Sequence, residues 1–75
     1  MITSEQIKGA RGMLGWSQKH LADKAGLSIQ TIKRMENIPG ELKGLPENIE
    51  KIKAVIESEG IVFTPNGVIL DKTSL

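Results

Sequence analysis

The reading turns on Gln18–Asn37, QKHLADKAGLSIQTIKRMEN. Two short helices meeting at a steep angle need a small residue at the crossing, a glycine where the backbone turns, and large aliphatics on both to lock them. Ala22 supplies the first, Gly26 the second, and Leu21, Leu27, Ile32 and Met35 the third. The helix boundaries are written in the same stretch. Ser17 is placed to cap the first helix, with Trp16 before it and Leu21 after it at the two positions of a hydrophobic staple. Gly26 is the expected left-handed residue at its end, and Ser28 caps the next helix after a two-residue break.

Working outward, Thr3 with Gln6 three residues on has the form of a capping box, and Ile7, Ala10 and Leu14 recur at helical spacing. Gly12 weakens this first helix and Gly15 stops it. Asn37 to Leu45 reads as a loop, because Asn, Pro and two Gly leave no periodic segment. Pro46 suits the first position of a fourth helix, with Glu47 and Glu50 near the positive end of its dipole. Ile49, Ile52, Val55 and Ile56 form its apolar stripe and Gly60 ends it. The pattern then becomes extended: Ile61–Thr64 and Val68–Leu70 flank Pro65-Asn66-Gly67, which predicts a short hairpin. Met13 and Met35 are expected as core fillers, Trp16 as a packing residue, and Lys72 to Leu75 to fray.

The fold class is therefore mainly α: a four-helix helix-turn-helix domain followed by a short C-terminal β-hairpin. One domain over 1–75 is expected, with a helical unit at 1–60 and the hairpin at 61–71. An isolated two-stranded hairpin is marginal in water, so this one needs the helices or a second copy of itself.

Composition narrows the function. The chain has 75 residues, 39% hydrophobic and 25% charged, and no cysteine, so neither a disulfide framework nor a cysteine-based zinc site is possible. Its apolar runs are too short to span a bilayer, and Met1 to Glu5 lacks the basic and apolar regions of a secretion signal, so a cytoplasmic, nucleoid-associated protein is expected. A lone histidine, His20, has no nucleophile beside it, and the sequence shows no metal cluster or phosphate-binding glycine loop. No enzyme activity, cofactor or metal is expected.

The net charge of +1 conceals an asymmetry. Residues 1–43 hold seven bases against four acids, a net +3, while residues 44–75 hold three against five, a net −2. A basic working face on the first part follows. The spacing of Gln18–Asn37 is what a DNA-binding helix-turn-helix requires, with the second helix in the major groove and the first crossing the backbone.

Over roughly residues 4–60 the chain resembles the Cro/lambda-repressor family of phage and bacterial regulators. The resemblance is carried by Trp16-Ser17-Gln18, Leu21-Ala22, Ala25-Gly26-Leu27-Ser28 and Thr31-Ile32-Lys33-Arg34-Met35-Glu36 together. It implies that Gln18 bonds a DNA phosphate, with Lys19, Thr31 and Lys43 as further phosphate contacts, and that Ser28, Ile29, Gln30, Lys33 and Arg34 face base edges. The chemistry fits independently: Gln pairs with adenine, Lys or Arg with guanine, and an aliphatic group contacts the thymine methyl. The resemblance also implies a structural pair between Arg11 and Glu36. Ile29 stands where many members carry a polar reader, and the loop is acidic at Glu41. The hairpin replaces a fifth helix. Because exposed strand edges favour pairing, Ile61, Phe63, Val68 and Leu70 are read as a dimer element, with folding of the hairpin onto its own domain as the competing outcome.

The expected protein is a regulator, a repressor of phage or bacterial origin, acting as a homodimer on a roughly palindromic double-stranded operator. Two alternatives are an antitoxin that also masks a toxin through its acidic end, and a protein-interaction module that keeps the fold without useful DNA affinity.

Overall fold

In the computed structural model, residues 1–71 are described; the expected fraying of Lys72 to Leu75 lies outside them. The first helix, α1, is Ser4–Leu14 and begins on the expected box: Thr3 Oγ1 accepts from the Gln6 amide at 3.1 Å while Gln6 Oε1 accepts from the Thr3 amide at 2.8 Å. It closes at Gly15, φ 69°, where the Trp16 amide reaches back to the Arg11 carbonyl. Helix α2, Gln18–Ala25, repeats the pattern, with Ser17 Oγ accepting from the His20 amide and Gly26 at φ 70° sending the Leu27 amide back to Ala22. Helix α3 is Ile29–Asn37, capped by Ser28, and α4 is Pro46–Glu57, with proline in its first turn. Asn37, expected in the loop, is the last residue of α3.

Strands β1, Ile61–Phe63, and β2, Val68–Leu70, pair antiparallel with Ile61 opposite Leu70, Val62 opposite Ile69 and Phe63 opposite Val68. Thr64 belongs to the turn rather than the strand, its amide donating to the Gly67 carbonyl at 2.9 Å.

The core gathers one stripe from each helix: Ile7 and Ala10, Leu21, Ala22 and Ala25, Ile32 and Met35, Ile52 and Ile56, closed by Leu42 and Ile61. Ala22 and Ala25 permit the close crossing of α2 and α3 that the spacing requires. Met13 corrects the sequence reading: it is 48% exposed and fills no core. At about 100° per residue it lies about 120° round α1 from Ile7 and about 100° from Leu14, one turn past Ala10 at the edge of the buried stripe. Leu42 is the converse case, a loop residue that is buried. Its loop runs extended beside the N-terminus, with Thr3 bridged to Glu41, the Ser4 amide on the Gly40 carbonyl and the Leu42 amide on the Ile2 carbonyl.

The hairpin lies on the helices. Ile61 is buried and Phe63, Val68 and Leu70 are half-buried against the core, and a Cβ at Gly9 would sit 3.5 Å from Val68. The four residues read as a dimer element thus face the chain's own interior, and the hairpin's exposed apolar pair is Val62 and Ile69. Gln6 fastens the turn, its Nε2 donating to the carbonyls of Thr64 at 2.6 Å and Gly67 at 2.9 Å.

Candidate nucleic-acid interface

Helix α3 separates two jobs by its 3.6-residue period. Ile32, Met35 and Glu36 turn inward and are buried, while Gln30, Lys33, Arg34 and Asn37 are all exposed. These four are spaced i, i+3, i+4, i+7, so they form one stripe along the outer face. Lys33 and Arg34 enter no ion pair among the described residues. The stripe therefore offers a carboxamide, two cations and a second carboxamide to whatever the helix meets. Asn37 was not singled out from the sequence because it had been placed in the loop; its i+7 spacing from Gln30 was the signal that could have found it.

The other residues marked for base reading are placed differently. Ser28 is exposed, but its Oγ accepts from the Thr31 amide at 3.1 Å and is hydrogen-bonded to Thr31 Oγ1 at 2.9 Å. Ile29 is half-buried and packs against the core, so only part of its side chain is turned outward.

Among the residues marked for phosphate, Lys19 is fully at the surface and bridges to Asp23 one turn on at 2.9 Å. Such an exposed pair is worth only about 0.3–0.5 kcal/mol, so it yields readily to a phosphate. Lys43 is exposed and precedes Gly44, which lies so close to α3 that a Cβ there would come within 3.1 Å of Met35 Cε. Thr31 is half-buried.

Behind this face lies the expected pair. Arg11 Nε donates to Glu36 Oε2 and Nη2 to Glu36 Oε1, both at 2.7 Å, and Nη1 donates to the Trp16 carbonyl at 2.9 Å. Glu36 is 3% exposed and Arg11 19%. The hydrogen bonds that Arg11 donates to Glu36, reinforced by the carboxylate charge, raise the Arg11 pKa against the cost of burial, so the guanidinium stays protonated at any accessible pH. One side chain of α1 thereby joins the end of α3 to the connection before α2. The sequence reading did not foresee that Gln18 joins this pair, with Nε2 donating to Glu36 Oε1 at 3.1 Å. His20 is exposed and its ring leans on Trp16, centroids 4.8 Å apart at 53°.

Among the described residues no group of three or more His, Cys, Asp or Glu could hold a metal, and no helix is long and apolar enough to cross a membrane. A shallow cleft of about 200 Å³ lies between the N-terminus, Glu41 and Leu42, and α4, and another of about 430 Å³ between the N-terminus, α4 and the hairpin turn; no residue of α2 or α3 lines either.

A capped helix, a glycine turn and a second capped helix with an exposed polar and basic stripe define a DNA-binding helix-turn-helix. Residues 7–37, from α1 to the last residue of α3, match the helix-turn-helix family. Over that stretch the chain is similar to the helix-turn-helix family of the Cro/lambda-repressor type, a match that supports a DNA-binding regulator. No curated protein matches the chain.

Proposed function

We propose that the protein is a sequence-specific transcriptional repressor of phage or bacterial type that reads the major groove of double-stranded DNA with α3. The observation that carries this reading is the outward stripe Gln30, Lys33, Arg34 and Asn37, exposed along a helix whose opposite face is locked into the core. Gln30 suits adenine, and Lys33 and Arg34 suit guanine. Gln18, Lys19, Thr31 and Lys43 contact the phosphates on either side, and Ser28 and the outward part of Ile29 touch the bases at the start of the helix.

Two copies bind a two-fold symmetric operator with half-sites one helical turn, about 34 Å, apart. A second copy meeting the hairpin meets Val62, Ile69 and the strand edges, since Ile61, Phe63, Val68 and Leu70 are engaged with their own helices.

Selection of bound duplexes from a random pool at fixed salt tests the reading and returns half-site, spacing and symmetry together. A recovered consensus with two inverted half-sites supports it; an unselected pool refutes it. On the recovered site, Gln30→Ala should cost about 1–3 kcal/mol and relax preference at one base pair per half-site. Equal weakening on all sequences would reassign Gln30 to the phosphates.

A further inference from the structure

We propose that Glu36 is a positioning residue for the DNA-phosphate contact of Gln18, and that the buried ion pair is thus wired to the binding face. The inference rests on the DNA-binding reading above and concerns how one contact is prepared before DNA arrives.

A carboxamide has an acceptor end and a donor end of nearly equal shape, and on an open surface it rotates between them. Only the NH₂ end can face a carboxylate, which accepts and does not donate. The 3.1 Å bond from Gln18 Nε2 to Glu36 Oε1 therefore selects the donor orientation. One N–H is spent on Glu36, and the second remains for an acceptor. Gln18, partly exposed at the start of α2, makes no other side-chain bond among the described residues, so that acceptor comes from outside the fold. A phosphate oxygen is the acceptor that the DNA backbone presents to this helix.

Glu36 suits the task because it is itself immobile. Both its oxygens are held at 2.7 Å by Arg11, whose third contact is the Trp16 carbonyl immediately before the α2 cap. An unpaired carboxylate beside a phosphate would repel it. The Arg11 guanidinium cancels that charge, so Glu36 aims the amide without driving off the ligand. Gln18 thus enters the complex with its side-chain entropy already lowered, which favours binding.

The test uses the selected operator carrying one uncharged methylphosphonate at each backbone position in turn. With the parent protein, one position per half-site should weaken binding roughly tenfold or more, and that sensitivity should vanish in Gln18→Ala. In R11M/E36M, which removes the carboxylate without leaving a buried charge, the penalty at this position should fall to within about twofold while other positions keep theirs. R11M/E36Q, which returns a carbonyl oxygen toward Gln18, should regain it. E36D keeps a charge for Arg11 but withdraws the carboxylate by one methylene, and it should lose the penalty even if the double variants fold poorly. A merely structural role for Glu36 would lower affinity at all positions alike. The proposal is overturned if no phosphate depends on Gln18, or if that dependence survives in both R11M/E36M and E36D on a consensus the parent still selects. Failure of the parent to select any sequence would instead remove the DNA-binding reading, and this proposal with it.

Discussion

Replacing Arg11 by methionine keeps most of the volume of the side chain and removes its charge. Glu36, 3% exposed, would then retain only the Gln18 amide at 3.1 Å, and the Trp16 carbonyl would lose its side-chain donor. Stranding one member of a buried ion pair typically costs about 3–5 kcal/mol. A domain of this length commands about 4–11 kcal/mol in all, at the usual 0.05–0.15 kcal/mol per residue, so R11M should lie close to its unfolding threshold. R11M/E36M should recover most of that loss and fall within about 2 kcal/mol of the parent, because two apolar side chains replace two desolvated charges. Urea unfolding followed by the single tryptophan and by far-ultraviolet circular dichroism measures both variants, with the denaturant slope required to stay constant. The reasoning fails if R11M costs under about 1 kcal/mol, which would mean that water already screens Glu36. It fails equally if the double variant is no more stable than R11M.

Other outcomes follow from single side chains. Gln6→Ala should free the hairpin turn and cost about 1–3 kcal/mol, seen as faster hydrogen exchange at the Thr64 and Asp71 amides than at the core amides of α2. Gly12→Ala should stabilise by about 0.5–1 kcal/mol, since its φ is negative and nothing lies within 4 Å of the new Cβ; thermal unfolding decides. Gly44→Ala should destabilise by about 1–3 kcal/mol in the same assay, its φ being 151° with Met35 Cε at 3.1 Å. The Glu5 carboxyl is held below its usual pKa by its own backbone amide and by that of Gly40. Its stabilising effect is therefore present above the ordinary carboxylate range and lost as pH falls through the lowered value. Glu5→Gln should flatten the acid side of the stability profile, lowering stability at neutral pH and converging with the parent at low pH; an unaltered profile would refute the assignment.

Much of this architecture is legible residue by residue. Thr3 with Gln6, Ser17, Ser28, Gly15 and Gly26 mark helix ends through local hydrogen-bonding and φ requirements, and local chemistry reads well from sequence. The Arg11–Glu36 pair was expected only through family resemblance, and the structure shows why it belongs there: it ties the start of the chain's core to the end of α3. Contacts that link distant segments by one polar group were invisible. Gln6 looked like half of a capping box, and its Oε1 does cap α1, yet its Nε2 serves a turn some sixty residues away. Gln18 is a similar case, since a surface glutamine carries no periodic signal pointing to Glu36. Met13 was misjudged for the opposite reason: hydrophobicity alone placed it inside, where helix geometry decides, and loop composition gave no signal that Leu42 is buried.

The outward stripe of α3 has an evolutionary reading as well. Gln30, Lys33 and Arg34 are exposed and make no side-chain bond or ion pair within the chain among the described residues. Exposed substitutions away from caps and networks usually change stability by under about 0.5 kcal/mol. Mutational drift can therefore change this face at almost no cost to folding. Gln18, Glu36 and Arg11 sit under the opposite constraint, where a change to one disturbs the other two. If α3 reads bases and Gln18 holds a phosphate as proposed, new operator specificities should arise by turnover along one helix face, over a frame that stays fixed.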